Sequence, residues 1–180
     1  MPDTSLWLFT ALVALVGVER VAELVVSTRH ARRSLRRGGV ESGRRHYRVM
    51  VVLHAALLVA AVGEVWLRRP GLYPLLTGGA LVLVLLSQAL RWWCVLTLGE
   101  QWTTRVIVVP GMTRVRRGPY RWLTHPNYVA VVVEGVALPL VHTAWMTAVG
   151  FTVLNAALLA VRVRVENTAL RVLAREPSSV

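Results

Sequence analysis

The chain has 180 residues and a formal net charge of +12, and all 21 of its basic residues are arginine. Hydrophobic residues make up 55% of the chain, above the roughly 45–50% of soluble domains, and the mean hydropathy is +0.53. The apolar residues form blocks separated by arginines, which is typical of membrane proteins and argues against nucleic-acid binding. The single cysteine, Cys94, excludes an intrachain disulfide and a multi-cysteine metal site, and we predict no metal site.

Three apolar blocks in the first half of the chain predict membrane-spanning helices. They comprise residues 6–26, 49–67 and 72–93. Each block is long enough to cross a bilayer as a helix. A basic loop at residues 29–48, with eight arginines against Glu41, separates the first two, and a turn at residues 68–71 separates the second and third. We therefore predict that residues 1–94 form three spans of a single membrane domain.

The second half alternates polar and apolar segments. Residues 95–120 are polar, and the β-rich stretch 103–109 within them predicts an extended segment. The apolar segment 128–140 is too short to span a bilayer upright, and a longer one follows at 145–161. We read these two as a helical hairpin. The predicted fold class is an all-α integral membrane protein with about five transmembrane helices, the last two forming the hairpin.

The distribution of arginine predicts the orientation in the cell membrane. The loop at residues 29–48 is the strongest cytoplasmic signal under the positive-inside rule. With this loop inside, the N-terminus lies outside, and residues 95–120 and the C-terminal tail lie inside. Anionic lipid headgroups are the expected partners of the arginines.

Residues 118–128 read Gly-Pro-Tyr-Arg-Trp-Leu-Thr-His-Pro-Asn-Tyr and stand out between the apolar blocks. Pro126 restricts His125 to an extended conformation and fits the first turn of the next helix. A helix start presents free N–H groups that suit an anionic ligand group, so His125 and Tyr128 are placed to bind a cofactor. The alternative is a membrane-interface anchor, in which the aromatic residues of the segment lie among the lipid headgroups.

This segment resembles the signature of the isoprenylcysteine carboxyl methyltransferase family. Residues 98–103 resemble the family's segment just upstream, and residues 162–167 resemble its C-terminal acidic motif, so the similarity covers roughly residues 90–170. Two positions depart from the family pattern. Thr124 stands where an arginine commonly precedes His-Pro, and Asn167 stands where the family has the second of two acids.

The resemblance implies an integral-membrane enzyme that uses S-adenosylmethionine. Residues 95–170 would form its cofactor-binding and catalytic region on the cytoplasmic side, with residues 171–180 as a tail. The residues expected to bind the cofactor are Gly118, Tyr120, Arg121, His125, Pro126 and Tyr128. The residues expected to serve catalysis are Glu134, Arg162 and Glu166.

These three candidate catalytic residues also have simpler interpretations. Arg162 and Glu166 are four residues apart and share one helix face, where they would otherwise form a solvated surface pair. Glu134 lies inside a short apolar segment, and a membrane-embedded carboxylate indicates a functional site by default. The alternative for Glu134 is a paired or protonated structural role.

The resemblance leaves the acceptor open. A carboxylate, as in isoprenylcysteine, needs no general base, whereas a phenol has a pKa near 10 and would need one. Glu166, Glu134 and His125 are the candidate bases. Bacterial family members with close versions of the motif are similar to enzymes that O-methylate lipid-tailed phenols such as alkylresorcinols, so a lipophilic acceptor from the bilayer is expected.

Two further classes of function compete with the methyltransferase. An NADPH-dependent membrane reductase would also take sterol-like or enone lipids. A non-enzymatic membrane protein could bind anionic lipid through its arginines. No G-x-G-x-x-G or P-loop motif occurs in the chain, so a soluble-type nucleotide site is not expected.

Overall fold

The computed structural model of the protein describes residues 2–112 and 115–173. Five α-helices account for most of this part of the chain, and two short strands and two 3₁₀ turns lie between them. The helices are α1 (Pro2–Arg36), α2 (Arg44–Arg68), α3 (Pro74–Leu98), α4 (Pro126–Leu140) and α5 (Trp145–Leu173). The strands β1 (Val40–Ser42) and β2 (Val106–Val108) pair antiparallel, with Glu41 opposite Ile107. This confirms the predicted all-α fold class and, for β2, the predicted extended segment.

The prediction that residues 29–48 form a loop is wrong. Helix α1 continues ten residues beyond the predicted span, to Arg36, because arginine is a good helix former and nothing in this stretch interrupts the helix. It ends at Arg36, and the turn that follows contains Gly38, which has a φ of 79°. Gly39 then donates its N–H to the Ser34 carbonyl at 3.0 Å, a bond that commonly closes helices. Most of the arginines in the stretch therefore lie on α1 and α2, and only residues 37–43 connect the two helices.

Helix α3 also runs further than predicted. It continues through Leu98 and passes into a 3₁₀ turn at Gly99–Gln101. The hairpin of α4 and α5 agrees with the prediction, and Pro126 occupies the first turn of α4 as expected. α5 extends into the charged tail as far as Leu173, and the rest of the predicted tail, residues 174–180, lies outside the described residues.

Three described helices are long and apolar enough to cross a membrane: residues 46–68, 74–101 and 145–166. α4 is apolar but shorter, at 15 residues. α1 carries Glu19, Arg20 and Glu23 in its middle, and these charged residues interrupt its apolar sequence. Five crossings would require that α1 and α4 also span the membrane, and this remains a prediction. Large apolar side chains are exposed along the outside of the helices, as a lipid-facing surface requires.

The apolar core and the polar groups occupy different ends of the helix bundle. The core joins the start of α1, the end of α2, the start of α3 and the end of α4. α4 also packs closely on α5, since a Cβ atom at Gly135 would lie 2.1 Å from the Phe151 ring. At the opposite end, the end of α1 and the start of α4 meet the polar segment that follows α3. The candidate functional site lies at this second end.

Candidate functional site

A polar cavity of about 160 Å³ lies at the junction of the segment after α3, the start of α4 and the end of α5. Its polar and aromatic lining comprises Gln101, Trp102, Thr103, Arg105, Tyr120, Thr124, His125, Asn127, Tyr128, Arg162 and Glu166. Five of the nine residues predicted to bind cofactor or serve catalysis are therefore in its wall. We call it the polar cavity below.

Four predicted residues contact each other in this wall. The Tyr128 hydroxyl donates a hydrogen bond to the Glu166 carboxylate and accepts one from Arg162 Nε at 2.8 Å. The rings of His125 and Tyr128 stack with centroids 5.1 Å apart and an interplanar angle of 14°. His125 Nδ1 lies 3.6 Å from Glu166 Oε1. The Tyr128 phenol thus links Arg162 to the Glu166 carboxylate, and His125 lies beside both the Tyr128 ring and that carboxylate.

Local structure explains how these four residues meet. His125 precedes α4 in a non-helical conformation, with a φ of −134°, and Pro126 starts the helix so that Tyr128 lies on its first turn. Arg162 and Glu166 are one turn apart on α5, so both side chains reach the same hydroxyl. Their relation is indirect, through Tyr128, rather than the direct surface pair that the spacing alone also allowed.

Arg162 is held on three sides. It is 9% exposed, and besides Tyr128 its Nη2 donates to the Thr104 carbonyl at 2.6 Å. Its Nη1 lies 2.8 Å from the sulfur of Met50 on α2. The side chain thus joins α5 to α2, α4 and the segment between α3 and β2. A lysine could not reproduce these contacts, because its ammonium is a point donor.

Helix α1 holds residues 102–104, of which Trp102 and Thr103 line the polar cavity. Ser27 Oγ accepts a hydrogen bond from the Thr104 N–H at 2.9 Å and lies 2.7 Å from Thr104 Oγ1. His30 Nδ1 lies 2.9 Å from the Trp102 carbonyl, so this ring nitrogen carries the proton and donates. The helical continuation of α1, which the sequence did not predict, therefore shapes the cavity.

The other predicted residues occupy different places. Tyr120 lines the cavity, its hydroxyl hydrogen-bonds Cys94, and burial raises the pKa of its phenol above the usual value. Pro126 is fully buried beneath the cavity wall, and Arg121 is exposed. Gly118 packs against α3, because a Cβ atom there would lie 2.5 Å from Thr97 Oγ1. The described residues that line the polar cavity do not include Gly118, Arg121 or Pro126.

Glu134 is not brought to the polar cavity either. Its carboxylate accepts a hydrogen bond from Arg91 Nη2 at 2.9 Å and lies 3.6 Å from Arg20 Nη2. It is 5% exposed and belongs to a buried group of charges between α1, α3 and α4. This is the paired environment that was the alternative to a catalytic role.

A second cavity, of about 200 Å³ and mostly apolar, adjoins the polar one between the helices. We call it the apolar cavity. It is lined by side chains from all five helices, and the two cavities share Asn127, Tyr128 and Arg162. The shared wall therefore contains both the phenol and the guanidinium of the polar site.

Sequence reasoning missed several lining residues. Arg105 lines the polar cavity, stacks over the Tyr47 ring at 5.1 Å and lies 3.6 Å from a Glu41 carboxylate oxygen. Asn127 lines both cavities. Two signals could have found them: Arg105 is the one charged residue of positions 101–113, and Asn127 lies inside the His-Pro-Asn-Tyr run.

Comparison with known proteins identifies the family of the chain. Residues 80–172, just over half of the chain, match the model of the isoprenylcysteine carboxyl methyltransferase (ICMT) family. The chain belongs to this family. The matched region contains every predicted site residue, and family membership together with the apolar helices makes the protein a membrane methyltransferase in general terms.

Two curated relatives extend the similarity to the N-terminal half. An uncharacterized protein, YpbQ, of Bacillus subtilis is 35% identical over 166 residues, covering 91% of this chain and 97% of that protein. An uncharacterized protein of Haemophilus influenzae is 25% identical over 152 residues, covering 84% and 88%. No solved structure matches the chain significantly.

Proposed function

We propose that the protein is an S-adenosylmethionine-dependent O-methyltransferase that acts on a lipophilic acceptor at the cytoplasmic face of the cell membrane. The observation that carries the proposal is the shared wall of the two cavities. A polar cavity, within the region that matches the family, adjoins an apolar cavity between the helices, and Tyr128 and Arg162 line both. Such a pair suits a water-soluble methyl donor on one side and a lipid on the other.

The donor groups of the polar cavity fit the cofactor. Glu166 is the one acidic side chain among the described lining residues and would hold its positively charged groups, while Arg105 would hold its carboxylate. Two buried polar atoms on lining residues, Asn127 Oδ1 and Arg105 Nε, have no hydrogen-bond partner among the described residues. Buried polar groups are normally paired, so these atoms are suited to a polar ligand.

The polar cavity also has room for an elongated ligand. A neighbouring cavity of about 210 Å³ shares Gln101, Tyr120, Thr124 and Glu166 with it. Aromatic rings stack favourably on flat heteroaromatic groups, and Tyr120 provides such a ring between the two spaces. The continuous cleft suits a molecule with an amino-acid end and a nucleoside end.

When bound, the cofactor would supply an electrophilic methyl group to the acceptor oxygen and would keep the electron pair of the broken carbon–sulfur bond on its sulfur. The protein orients the acceptor and excludes water from the shared wall. Tyr128 is placed to take the proton of a hydroxyl acceptor as it passes its own proton to Glu166. Arg162, which donates to the Tyr128 oxygen, stabilises the partial negative charge that develops on this oxygen during the transfer.

The arginines at the cytoplasmic end would hold the protein against anionic headgroups. Arg29, Arg32 and Arg36 are exposed on the last turns of α1. Arg33 and Arg37 instead pair with Glu100, at 2.7 and 3.1 Å, and so attach this helix to the segment after α3. In this orientation the N-terminus lies outside, as the positive-inside rule predicts.

Calorimetric titration of S-adenosylhomocysteine into the detergent-purified protein tests the cofactor, with NADPH titrated in parallel. We expect saturable binding of S-adenosylhomocysteine alone. His125→Ala should weaken this binding, because it removes the ring stacked on Tyr128, whereas Arg117→Ala, at an exposed arginine nearby, should not. Binding of NADPH alone would move the protein to the reductases, and binding of neither would favour a lipid-binding role without catalysis.

A further inference from the structure

A groove of about 480 Å³ runs between α2 and α5 on the outside of the helix bundle. Its wall on α2 extends from Leu53 to Arg68 along one face of the helix, and its wall on α5 extends from Met146 to Leu154. Both helices are long and apolar enough to cross a membrane, so the groove opens toward lipid. We call it the α2–α5 groove.

Small residues give the groove its depth. Ala56, Ala60 and Gly150 line it and are exposed, and a Cβ atom added at Gly150 would meet no neighbouring side chain within 4 Å. Beneath them the two helices are in contact, since the ring of Phe151 packs edge-on against the ring of His54 with centroids 5.3 Å apart. The groove is therefore an apolar furrow between packed helices.

Polar groups line the groove at one end. The Glu64 carboxylate accepts hydrogen bonds from the backbone N–H groups of Met146 and Thr147, at 3.2 and 2.8 Å, and from the Thr147 hydroxyl at 2.8 Å. It thus caps the first turn of α5, where backbone N–H groups have no partner within the helix. The positive end of the helix dipole therefore compensates the negative charge of Glu64.

This compensation leaves the charge of Arg68 only partly neutralised. Arg68 Nη1 lies 3.7 Å from Glu64 Oε1, which is longer than a hydrogen bond, and the Arg68 side chain is 58% exposed. No acidic residue occurs in the sequence between Glu64 and Glu100. The apolar span of α2 ends at Arg68, which is the depth at which lipid headgroups lie. The polar end of the groove is therefore cationic and complements an anionic headgroup.

The dimensions of the groove suit a single hydrocarbon chain. From Leu53 to Arg68 the α2 axis rises by about 22 Å, at about 1.5 Å per residue. Half of the hydrocarbon core of a bilayer is about 15 Å thick, so a chain whose headgroup lies at Arg68 stays in the groove as far as the bilayer midplane. The helix of a second protein copy is too wide, because packed helices lie about 8–10 Å apart and a helix is about 10–12 Å across.

We propose that the α2–α5 groove binds an anionic phospholipid from the leaflet that surrounds the end of α2. One acyl chain lies along Ala56, Ala60 and Gly150. The phosphate pairs with the Arg68 guanidinium, which can donate two parallel hydrogen bonds to phosphate oxygens. The lipid thus links α2 to α5 along a face where their own side chains leave a gap. This site is independent of the proposed methyltransferase activity.

The bound lipid is a structural ligand and not a methyl acceptor. Met146, at the polar end of the groove, is 16 residues before Arg162 on α5. This separation corresponds to about 24 Å along the helix axis. The described lining of the groove has no residue in common with that of the polar cavity or the apolar cavity.

Two phospholipids with the same acyl chains test the headgroup contact. The probes are dioleoyl phosphatidylglycerol, which is anionic, and dioleoyl phosphatidylcholine, which is zwitterionic. Native mass spectrometry of the delipidated protein in detergent gives the number of lipids retained and their Kd, and the melting temperature reports the stabilisation. We expect phosphatidylglycerol to bind about fivefold more tightly and to raise the melting temperature by several degrees more.

Two pairs of variants locate the site. Arg68→Gln keeps hydrogen-bond donors but removes the charge, so it should reduce the preference for phosphatidylglycerol to less than about twofold, whereas Arg29→Gln, at an exposed arginine of α1, should retain it. Gly150→Leu fills the groove and should lower the number of retained lipids by one for either headgroup. Gly78→Leu is its control, because Gly78 is also an exposed helical glycine with open space around it.

Each outcome decides one part of the proposal. Equal affinity for the two lipids, or a preference that survives Arg68→Gln, would overturn the phosphate contact. Lipid retention that is unchanged in Gly150→Leu would exclude the groove as the site. A dimer in light scattering that becomes a monomer in Gly150→Leu, without loss of lipid, would show that a second copy occupies the groove.

Folding and the proposed function are checked separately. If Gly150→Leu does not give monodisperse protein, Ala60→Leu fills the same groove from α2 and replaces it. Binding of S-adenosylhomocysteine is measured on the same samples. Its absence from the wild-type protein would overturn the proposed function and leave the lipid site standing.

Discussion

Replacing Tyr128 with phenylalanine removes one oxygen and leaves the ring stacked on His125. That oxygen donates to Glu166 and accepts from Arg162 Nε at 2.8 Å, so two hydrogen bonds to charged groups are lost. Each such bond contributes about 1.5–3 kcal/mol. Arg162 keeps its bond to the Thr104 carbonyl and Glu166 can be hydrated, so we expect a net loss of about 2–4 kcal/mol in transition-state stabilisation. This corresponds to a decrease in kcat/KM of about 30- to 1,000-fold.

The assay is transfer of radiolabelled methyl to an alkylresorcinol, with S-adenosylhomocysteine affinity measured alongside. Tyr128→Phe should lower kcat far more than it weakens cofactor binding, because the stacked ring remains. Tyr73→Phe is the control, since Tyr73 is 63% exposed before α3. A double variant with Glu166→Gln should be little worse than the single ones if both residues move the same proton. Strictly additive losses, or full activity of Tyr128→Phe, would refute the proton-transfer role.

Three further predictions concern stability, the cavity wall and orientation. Gly118→Ala should lower the melting temperature in detergent by several degrees more than Gly111→Ala. Both glycines have positive φ, but only at Gly118 would the Cβ contact Thr97, at 2.5 Å, so equal shifts would contradict the packing argument. Ser27→Ala should weaken S-adenosylhomocysteine binding, measured by calorimetry, by about tenfold, because it leaves the partly buried Thr104 N–H unpaired beside the lining residues Trp102 and Thr103; unchanged affinity would show that α1 does not hold this segment. A green fluorescent protein fused to the C-terminus should fluoresce and an alkaline phosphatase fused there should be inactive, and the reverse result would invert the proposed topology.

Local sequence determined the helices and their approximate order. Apolar blocks of sufficient length predicted helices that the structure contains, and Pro126 marked the start of α4 because its ring suits the first turn of a helix. The ends of the helices were less predictable. A change from apolar to polar residues does not by itself end a helix. α1 therefore continues to Arg36 and ends only where the turn containing Gly38 follows.

The sequence also pointed to the residues of the site before any contact was known. The close spacing of His125 and Tyr128 is a local property, and so is the one-turn separation of Arg162 and Glu166. Both pairs keep that relation in the structure. Arg162 and Glu166 meet at the Tyr128 hydroxyl, and His125 stacks on the Tyr128 ring. Whether these side chains bind the cofactor and serve catalysis stays a prediction until binding and turnover are measured.

Only the tertiary structure decided what each polar residue faces. Gly118 lies within the signature but packs on α3, and Glu134 lies 3.6 Å or less from arginines that are distant in sequence. The contact of Ser27 with Thr104 joins residues 77 positions apart. Such contacts depend on how α1, α3 and α4 cross, which is set by the sum of many packing interactions and not by local pattern. The sequence therefore determined the family, the approximate helices and the candidate site residues, and the tertiary structure decided which of those residues share a cavity.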